Sequence, residues 1–359
     1  MAYAPQGNKQ ELKRAKRQVA NVIDLRKCMG CQTCTVACKN LWTKRPGTEH
    51  MRWMNVSPYP GKLYPRDVEK KGGGRRDGVP QKGELTTYVD CGDNFSFNHD
   101  EVYNQGKGQT VHFKPMNSKG EDPEWGYNWD EDEGGGSGLN PYFFYFPKKC
   151  NHCSNPACVD ACTHNALYKR EEDGIVVLDQ ERCRGDRHCI QACPYKAIYY
   201  NPLTEKSEKC VFCFPRVEVG IAPACDRQCP GRTRHFGYLD DEHSDVHKLV
   251  KKWKVALPLH PEYGTEPNVY YIPPWSPRAY AADGSITDEM RIPTELLEGL
   301  FGPEVKRVLA TLDAERQKKM NKQESELMDI LISRDWHSMF GGFTEDPLIQ
   351  ARMGGKSKG

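Results

Sequence analysis

The sequence predicts an α+β fold in which two similar small units are organised around cysteine side chains. The first observation is that the 359 residues include 16 Cys, and all of them except Cys91 fall into four groups. The second is a repeat, in which ACTHNALY at 161–168 parallels ACPYKAIY at 192–199. In each copy a Cys ends a predicted helix and is followed by a strand. The third is that only 37% of the residues are hydrophobic, so bound groups are expected to fill part of the core.

The spacing within the cysteine groups predicts iron–sulfur clusters. In the upstream group, Cys28, Cys31 and Cys34 are separated by two residues each, so their thiolates can surround one face of a cluster. Cys38 follows after three residues and has turned away, as in bacterial ferredoxins, whose last Cys binds a second cluster. Zinc usually takes two separated pairs of ligands, and a disulfide-rich scaffold would be much shorter, so both are disfavoured. The other groups are Cys150-x2-Cys153-x4-Cys158-x3-Cys162, Cys183-x5-Cys189-x3-Cys193 and Cys210-x2-Cys213-x11-Cys225-x3-Cys229.

Charge and hydropathy exclude several classes of function. The net charge is +2 with both signs interspersed, so no nucleic-acid-binding surface is expected. No apolar run approaches the length of a membrane span, and the N-terminal stretch MAYAPQGNKQELKRAKRQ lacks the apolar segment of a signal peptide. We therefore expect neither a membrane span nor a signal peptide in this chain. Thiolates that bind iron require a reducing compartment during assembly, which predicts folding in the cytoplasm whatever the final location.

The patterning predicts two ferredoxin-like cluster-binding units with a long loop-rich insertion and a C-terminal helical tail. Strands are predicted at 18–25, just before the first cysteine group, and at 175–179 within the repeat. Apolar residues at helical spacing in 293–333 predict helices that pack on the cluster core or on a partner, with a solvated helix pair as the alternative. The predicted divisions are an arm at 1–20, the first unit at 21–40 and 200–245, the insertion at 41–145, the second unit at 146–199 and a C-terminal extension at 246–359.

Three segments resemble a known family. They are IDLRKCMGCQTCTVACKNLWT, CRGDRHCIQACPYKAIYY and KSEKCVFCFPRVEVGIAPAC. These segments resemble the iron–sulfur β subunit of the dimethyl sulfoxide reductase family of molybdenum enzymes, in its nitrate-reductase-like branch, which includes selenate and chlorate reductases. The likeness covers about residues 18–60 and 145–275. It implies an electron-transfer subunit of a dehydrogenase or oxyanion reductase complex, and the compact chain is most similar in size to the subunits of ethylbenzene and dimethyl sulfide dehydrogenases.

The family pattern, carried over residue by residue, implies four clusters. The fourth ligand of each of the first three comes from another part of the chain, as does the last Cys of a bacterial ferredoxin group. The implied ligands are Cys28, Cys31, Cys34 and Cys229 for the first cluster, Cys38, Cys210, Cys213 and Cys225 for the second, Cys150, Cys153, Cys158 and Cys193 for the third, and Cys162, Cys183 and Cys189 for the fourth.

The fourth cluster departs from this pattern at Asp186, which stands in CRGDRHC where a further Cys would be expected. Many family members carry an aromatic residue there and hold three irons. A carboxylate can bind iron, but it is a harder ligand than a thiolate and would hold the iron weakly. The implied cofactors are three [4Fe-4S] clusters and one [3Fe-4S] cluster, or a fourth [4Fe-4S] cluster with Asp186 as an oxygen ligand.

Other residues beside the cysteine groups are candidates for adjusting the clusters. Basic side chains can raise cluster potentials through their charge, with solvent-facing charge as the alternative interpretation; they are Arg184, Arg187, Lys196 and Arg216. Neighbouring histidines are predicted to donate hydrogen bonds or to lie at the surface rather than to bind iron; they are His152, His164 and His188. Cys91 is interpreted as a bystander, and the tryptophans as packing or interface residues. No catalytic residue is predicted.

The resemblance also implies partners. A molybdopterin-containing catalytic α subunit would face the first cluster, and a haem b γ subunit or another redox partner would face the fourth. The complex would reach the periplasm by co-export with a partner, with the cytoplasm as the alternative location. An independent soluble multi-cluster ferredoxin is the alternative function, and such a protein would purify alone. In a further alternative the clusters only stabilise the fold, and they would then show no reversible redox change.

Overall fold

The secondary structure consists mostly of short strands and short helices. The computed structural model describes residues 15–87, 89–91 and 134–345. The strands in these ranges are β1 (Val19–Asp24), β2 (Met54–Tyr59), β3 (Arg75–Arg76), β4 (Val79–Pro80), β5 (Phe144–Lys149), β6 (Leu167–Lys169), β7 (Val176–Leu178), β8 (Ile198–Asn201), β9 (Lys206–Lys209), β10 (Arg234–Tyr238), β11 (Leu257–Pro258), β12 (Val269–Ile272), β13 (Arg278–Tyr280) and β14 (Ile286–Met290). The helices are α1 (Thr33–Trp42), α2 (Ala157–Asp160), α3 (His188–Ala192), α4 (Phe214–Val217), α5 (Ala224–Arg227), α6 (Asp245–His247), α7 (Thr294–Phe301), α8 (Val305–Met320) and α9 (Glu326–Ile332).

A four-stranded sheet forms the centre of the core, in the order β10-β1-β12-β11. β1 pairs antiparallel with β10 and parallel with β12. Every residue of β1 is buried, which explains why its sequence VANVID is largely apolar rather than strictly alternating. The strand predicted at 18–25 is confirmed. Because β1 leads directly into the first cysteine group, the sheet determines where that group begins.

Short helices and hairpins carry the cysteines of the repeat. α2 packs against α3, and α1 packs against α5. The hairpin β6–β7 follows Cys162, and the hairpin β8–β9 follows Cys193. The strand predicted at 175–179 is confirmed as β7. Both copies of the repeat therefore place a Cys just beyond a short helix and before an outgoing strand, as the sequence predicts.

The described part of the predicted insertion is anchored by a strand pair. β2 runs antiparallel to β5, with Met54 opposite Lys149 and Tyr59 opposite Phe144. Phe146 is fully buried, and its ring centroid lies 5.0 Å from that of Tyr271 on β12. The insertion is therefore joined to the central sheet. Residues 92–133 of the loop-rich insertion predicted at 41–145, most of the N-terminal arm and the last residues of the C-terminal extension lie outside the described residues.

The C-terminal extension contains the three helices α7, α8 and α9, where apolar spacing predicted helices. Leu297, Leu300 and Val305 are buried. The ring of Phe301 lies 5.8 Å from Tyr271 of the central sheet. These helices therefore pack on the core instead of forming a solvated pair. Within the described ranges, no helix combines the length and the apolar character needed to cross a membrane.

We predict that His260 contributes to the stability of the folded protein in a pH-dependent way. Its Nδ1 lies 2.8 Å from Glu262 and its Nε2 3.3 Å from Glu69. Burial lowers the pKa of His260, but hydrogen bonds with Glu69 and Glu262 outweigh burial and raise it above 6.5. Because the folded pKa is raised, the stabilisation is complete below the unfolded value of about 6.5 and is lost as pH rises through the folded value.

We therefore expect His260→Gln to lower the thermal midpoint of the cluster-loaded protein most at acidic pH, with the difference from wild type shrinking as pH rises above about 6.5. The exposed His243, changed to Gln, is the control. A midpoint difference that stays constant with pH would contradict the assignment.

Candidate iron–sulfur centres

The first cysteine group follows β1 through a tight turn. Asp24 caps this turn, because its carboxylate accepts a hydrogen bond at 3.1 Å from the backbone N–H two residues on. Gly30 lies between Cys28 and Cys31 with a φ of +69°. A Cβ at this position would lie 2.5 Å from the ring of Tyr145. The turn that joins Cys28 to Cys31 therefore favours glycine at position 30, both for its positive φ and for the lack of space beside Tyr145.

The helix α1 carries the next two cysteines on one face. Cys34 and Cys38 are four residues apart, so they project from the same side of the helix, and each is only 6% exposed. The helix α5, which packs against α1, carries Cys225. This helix pair brings cysteines that are far apart in the sequence into the same region.

The four residues that the family pattern assigns to the first cluster line one small cavity. They are Cys28, Cys31, Cys34 and Cys229. Burial is the main cause that raises the pKa of Cys28 to about 11, Cys34 and Cys229 also raise it, and Arg234 lowers it. Cys31 is exposed, so this cavity opens to the surface.

The second set is buried and also lies together. Burial raises the pKa of Cys38 well above its usual value, and the thiols of Cys210 and Cys213 raise it further. Burial likewise raises the pKa of Cys225, with Cys213 among the neighbours that contribute. Each of these four cysteines is no more than 8% exposed. The structure therefore brings the second predicted set together in the interior.

The third set forms another group of interacting thiols. Burial raises the pKa of Cys158 well above its usual value, and Cys193, Cys150 and Cys153 raise it further. Cys193 follows α3, whereas Cys158 lies within α2 and Cys150 and Cys153 precede that helix. The packing of α2 against α3 therefore assembles this set.

The fourth set lines a second small cavity. Its cysteines are Cys162, Cys183 and Cys189, and Asp186 lies at the same cavity. Burial raises the pKa of Cys189 to about 12, a hydrogen bond with Ser207 opposes this rise, and the other two thiols add to it.

The carboxylate of Asp186 is held at the edge of this cavity. Its Oδ2 accepts a hydrogen bond from the hydroxyl of Thr163 at 2.6 Å. The same oxygen lies 3.0 Å from Nε2 of His164, and the Asp186 side chain is 36% exposed. Both partners directly follow Cys162, so one carboxylate oxygen is already engaged by the cluster-binding segment itself.

The four sets are neighbours in series. Burial is the main cause that raises the pKa of a thiol in each set. In three places the negative charge of a thiolate in the neighbouring set raises that pKa further. The neighbouring pairs are Cys34 with Cys38, Cys150 with Cys210, and Cys193 with Cys189. The order along this series is first, second, third and fourth set.

Hydrogen-bond donors surround the cysteine sulfurs. Such donors stabilise thiolates and help to set the potential of a bound cluster. The side-chain donors are Trp42 Nε1 to Cys213 at 3.1 Å, Arg234 Nη2 to Cys34 at 3.4 Å and Lys149 Nζ to Cys225 at 3.8 Å. Backbone donors include Ala166 to Cys162 at 3.2 Å, Ser207 to Cys183 at 3.4 Å and Phe212 to Cys210 at 3.4 Å.

Two buried cations lie between the first and second sets and share one carboxylate. Asp226 lies 3.4 Å from Lys149 Nζ and 3.5 Å from Arg234 Nη1, and all three residues are at most 2% exposed. An excess of buried positive charge is costly unless an anion lies nearby. A cluster bound by four thiolates is an anion. The Lys149–Asp226–Arg234 triad therefore fits iron–sulfur clusters on either side of it.

The basic residues that the sequence singled out are divided between the interior and the surface. Lys196 is fully buried, and burial lowers its pKa to about 8 while the charge of Cys193 raises it. Lys148, which the sequence analysis did not single out, is also buried. Burial lowers its pKa to about 8, and the charge of Cys193 opposes this change. The remaining three bond elsewhere: Arg184 donates to the Glu181 carbonyl, Arg216 donates to the Ala222 carbonyl, and Arg187 lies over the Tyr200 ring.

The histidines and the lone cysteine lie in different surroundings. His152 is fully buried, its Nδ1 accepts a hydrogen bond from a backbone N–H, and its ring stacks on Phe212 at 4.5 Å. His164 contacts Asp186, and His188 is half-buried at the start of α3. Cys91 is buried outside the four sets, and burial raises its pKa to about 12.

Known proteins share most of this sequence. Residues 141–239 match the family described as a 4Fe-4S dicluster domain. The chain is 54% identical to the chlorate reductase subunit beta of Ideonella dechloratans, over 89% of this chain and 97% of the relative. It is 53% identical to the selenate reductase subunit beta of Thauera selenatis, over 89% and 97%. The chain belongs to the iron–sulfur β subunits of the dimethyl sulfoxide reductase family. The resemblance drawn from the sequence is therefore confirmed.

The β-subunit relatives do not share one direction of chemistry. A dimethylsulfide dehydrogenase subunit beta from Rhodovulum sulfidophilum is 51% identical over 90% of this chain and 98% of the relative. This dehydrogenase subunit is nearly as similar as the chlorate and selenate reductase subunits. Sequence identity in a β subunit therefore does not separate substrate oxidation from substrate reduction.

Sequence reasoning missed several residues that contact the candidate ligands. Trp42, Lys149 and Arg234 donate to cysteine sulfurs, and Asp226 links the two cations. A partial signal for Trp42 was its place four residues after Cys38, but that spacing points to a shared face only on the helix α1, which the sequence analysis did not predict. The triad carried no such signal, because its three members come from β5, α5 and β10.

Proposed function

We propose that this chain is the electron-transfer subunit of a molybdenum oxidoreductase complex and carries four iron–sulfur clusters. The observation that supports this most directly is the series of neighbouring thiol sets, from Cys34 and Cys38 through Cys150 and Cys210 to Cys193 and Cys189. A series of this kind offers a continuous route for electrons across the chain. When bound, the clusters supply one-electron redox chemistry.

The ligand sets proposed for the clusters are those that the family pattern implies. The cavities lined by the first and fourth sets and the interacting thiols of the second and third sets support this division. The chain itself holds the thiols at fixed spacing, donates N–H groups to sulfur and excludes water by burial. These are the means by which a protein sets cluster potentials.

At the fourth site we propose a [3Fe-4S] cluster, beside three [4Fe-4S] clusters. The support is that Oδ2 of Asp186 is engaged by Thr163 and His164. A [4Fe-4S] cluster with Asp186 as an oxygen ligand is the alternative, and it would require the other carboxylate oxygen to reach iron.

The partner proposed for the first site is a molybdopterin-containing α subunit. Met29, which lines this site, is 57% exposed, and on the following helix α1 Val36 is 55% exposed and Leu41 48%. We propose that these exposed apolar side chains contribute to the interface with the α subunit. A haem b γ subunit or another redox partner would receive or supply electrons at the fourth site. We propose a periplasmic complex exported with its partner, with a cytoplasmic complex as the alternative.

Purification of the native complex through a tag on this chain tests the proposed function. We expect a large complex that contains molybdenum or tungsten together with iron, and haem b if the γ subunit is present. A chain that purifies alone, loaded with iron and redox-active, would overturn the subunit proposal and favour an independent ferredoxin.

Two matched variants test the proposed interface. Val36→Glu places a charge in the exposed apolar surface beside the first site, and we expect about a tenfold loss of co-purified molybdenum. Val79→Glu changes a valine that is 42% exposed on β4 and should leave the molybdenum content unchanged. Equal molybdenum recovery with both variants would count against an interface at Val36.

A further inference from the structure

Trp42 occupies the last position of α1, one turn after Cys38. Residues four apart lie on the same helix face, so the indole is directed to the side of α1 that carries a proposed ligand of the second cluster. Its Nε1 lies 3.1 Å from Sγ of Cys213, another member of this set. An indole N–H can donate but cannot accept, so the thiol sulfur is the acceptor.

The indole of Trp42 is held in place by a second tryptophan. The ring centroids of Trp42 and Trp53 are 6.1 Å apart with an interplanar angle of 24°. Trp53 is only 6% exposed and directly precedes the buried strand β2. Because this neighbour restricts the ring plane, the N–H is aimed at Cys213 before any cluster binds, and little entropy is lost in forming the contact.

Cys213 receives a second donor, the backbone N–H of Ala224. Cys213 is only 6% exposed and Trp42 is half-buried, so the bond between them is largely removed from solvent. A hydrogen bond from a neutral donor stabilises the more negative state of a cluster more strongly. Such a bond therefore raises the reduction potential, as do hydrogen bonds to cluster sulfurs in general.

We propose that Trp42 is a positioning residue that sets the potential of the second cluster through its N–H bond to Cys213. This inference rests on the proposed function, because it needs a cluster bound by the set that contains Cys213. The second cluster lies between the first and third in the series, so its potential affects every electron that passes along the route.

The test is Trp42→Phe in the tagged native complex, with potentials measured by redox titration monitored by electron paramagnetic resonance. The second-cluster signal is identified as the one perturbed by Cys213→Ser. Phe keeps an aromatic ring against Trp53 but removes the N–H. We expect the reduction equilibrium of this cluster to become about tenfold less favourable, a downward shift of about 59 mV for one electron, while the other potentials stay unchanged.

Trp253→Phe is the matched control. The indole N–H of Trp253 also makes a hydrogen bond, to Glu326 at 3.3 Å, but this bond lies away from the cysteine sets. All cluster potentials should stay unchanged in this variant. An unchanged second-cluster potential in Trp42→Phe would overturn the inference. If Cys213→Ser perturbs no cluster signal of the wild-type complex, the proposed function itself is overturned.

A measurement on the wild-type complex tests the same contact if the Trp42→Phe variant fails to assemble. The wild-type complex, labelled with ¹⁵N-tryptophan and reduced, is examined for a ¹⁵N coupling to the second cluster by electron–nuclear double resonance. We expect a coupling that is absent from the signals of the other clusters. If the second-cluster signal carries no such coupling, the indole does not contact its ligand and the inference is wrong.

Discussion

Replacing Lys149 by Met is expected to destabilise the second cluster and lower its reduction potential. Lys149 is buried, donates to the sulfur of Cys225 and pairs with Asp226. Removing one member of a buried ionic group typically costs about 3–5 kcal/mol, and we expect the lower end because Arg234 still pairs with Asp226. The cluster would also lose a neighbouring positive charge. Because that charge stabilises the more negative, reduced state, its loss favours the oxidised state. Iron and sulfide content, thermal midpoint and redox titration of the complex measure these effects.

The exposed Lys251, changed to Met, is the control for this prediction, since it alters the net charge equally but at the surface. Lys149→Arg keeps the buried charge and should retain more iron than Lys149→Met. If Lys149→Met keeps the wild-type iron content, thermal midpoint and second-cluster potential, the Lys149–Asp226–Arg234 triad has no electrostatic effect on the cluster.

Replacing Asp186 by Cys is expected to convert the fourth site into a site for a [4Fe-4S] cluster. The three thiols already line the cavity with Asp186, so a fourth thiolate completes the usual ligand set. If the wild-type site holds three irons, the complex should gain about one iron per chain and lose the resonance signal of an oxidised three-iron cluster. Iron analysis and electron paramagnetic resonance of the oxidised complex measure both changes.

Asp186→Ala separates the two alternatives for the wild-type site. If Asp186 does not bind iron, this variant keeps its iron content and its three-iron signal. If Asp186 is an oxygen ligand, the variant loses about one iron per chain and gains a three-iron signal. The exposed Glu172, changed to Ala, controls for the loss of a surface carboxylate. A three-iron signal that is already present in the wild type and unchanged in Asp186→Ala would rule out the oxygen-ligand alternative.

Several elements were predictable because their signals are local. The strand before the first group, the strand within the repeat and the C-terminal helices all depend on side-chain periodicity over a few residues, and all are present. The spacing of Cys28, Cys31 and Cys34 predicted a shared site by the same local logic, and these residues line one cavity. Thr163 shows the limit of such reasoning, since its position in the motif gave no hint that it bonds to Asp186, 23 residues away.

The sequence by itself determined the kind of cofactor, the division of the cysteines into groups and the family. It did so because iron–sulfur ligation is encoded in spacings of two or three residues and in thiolate chemistry. Only the tertiary structure decided which polar groups face those thiols. Trp42 and Cys213 are 171 residues apart, and Lys149, Asp226 and Arg234 are brought together by the packing of a strand, a helix and a second strand. In a sequence, a buried charge is indistinguishable from a solvated one, because burial is a property of long-range packing and leaves no local pattern.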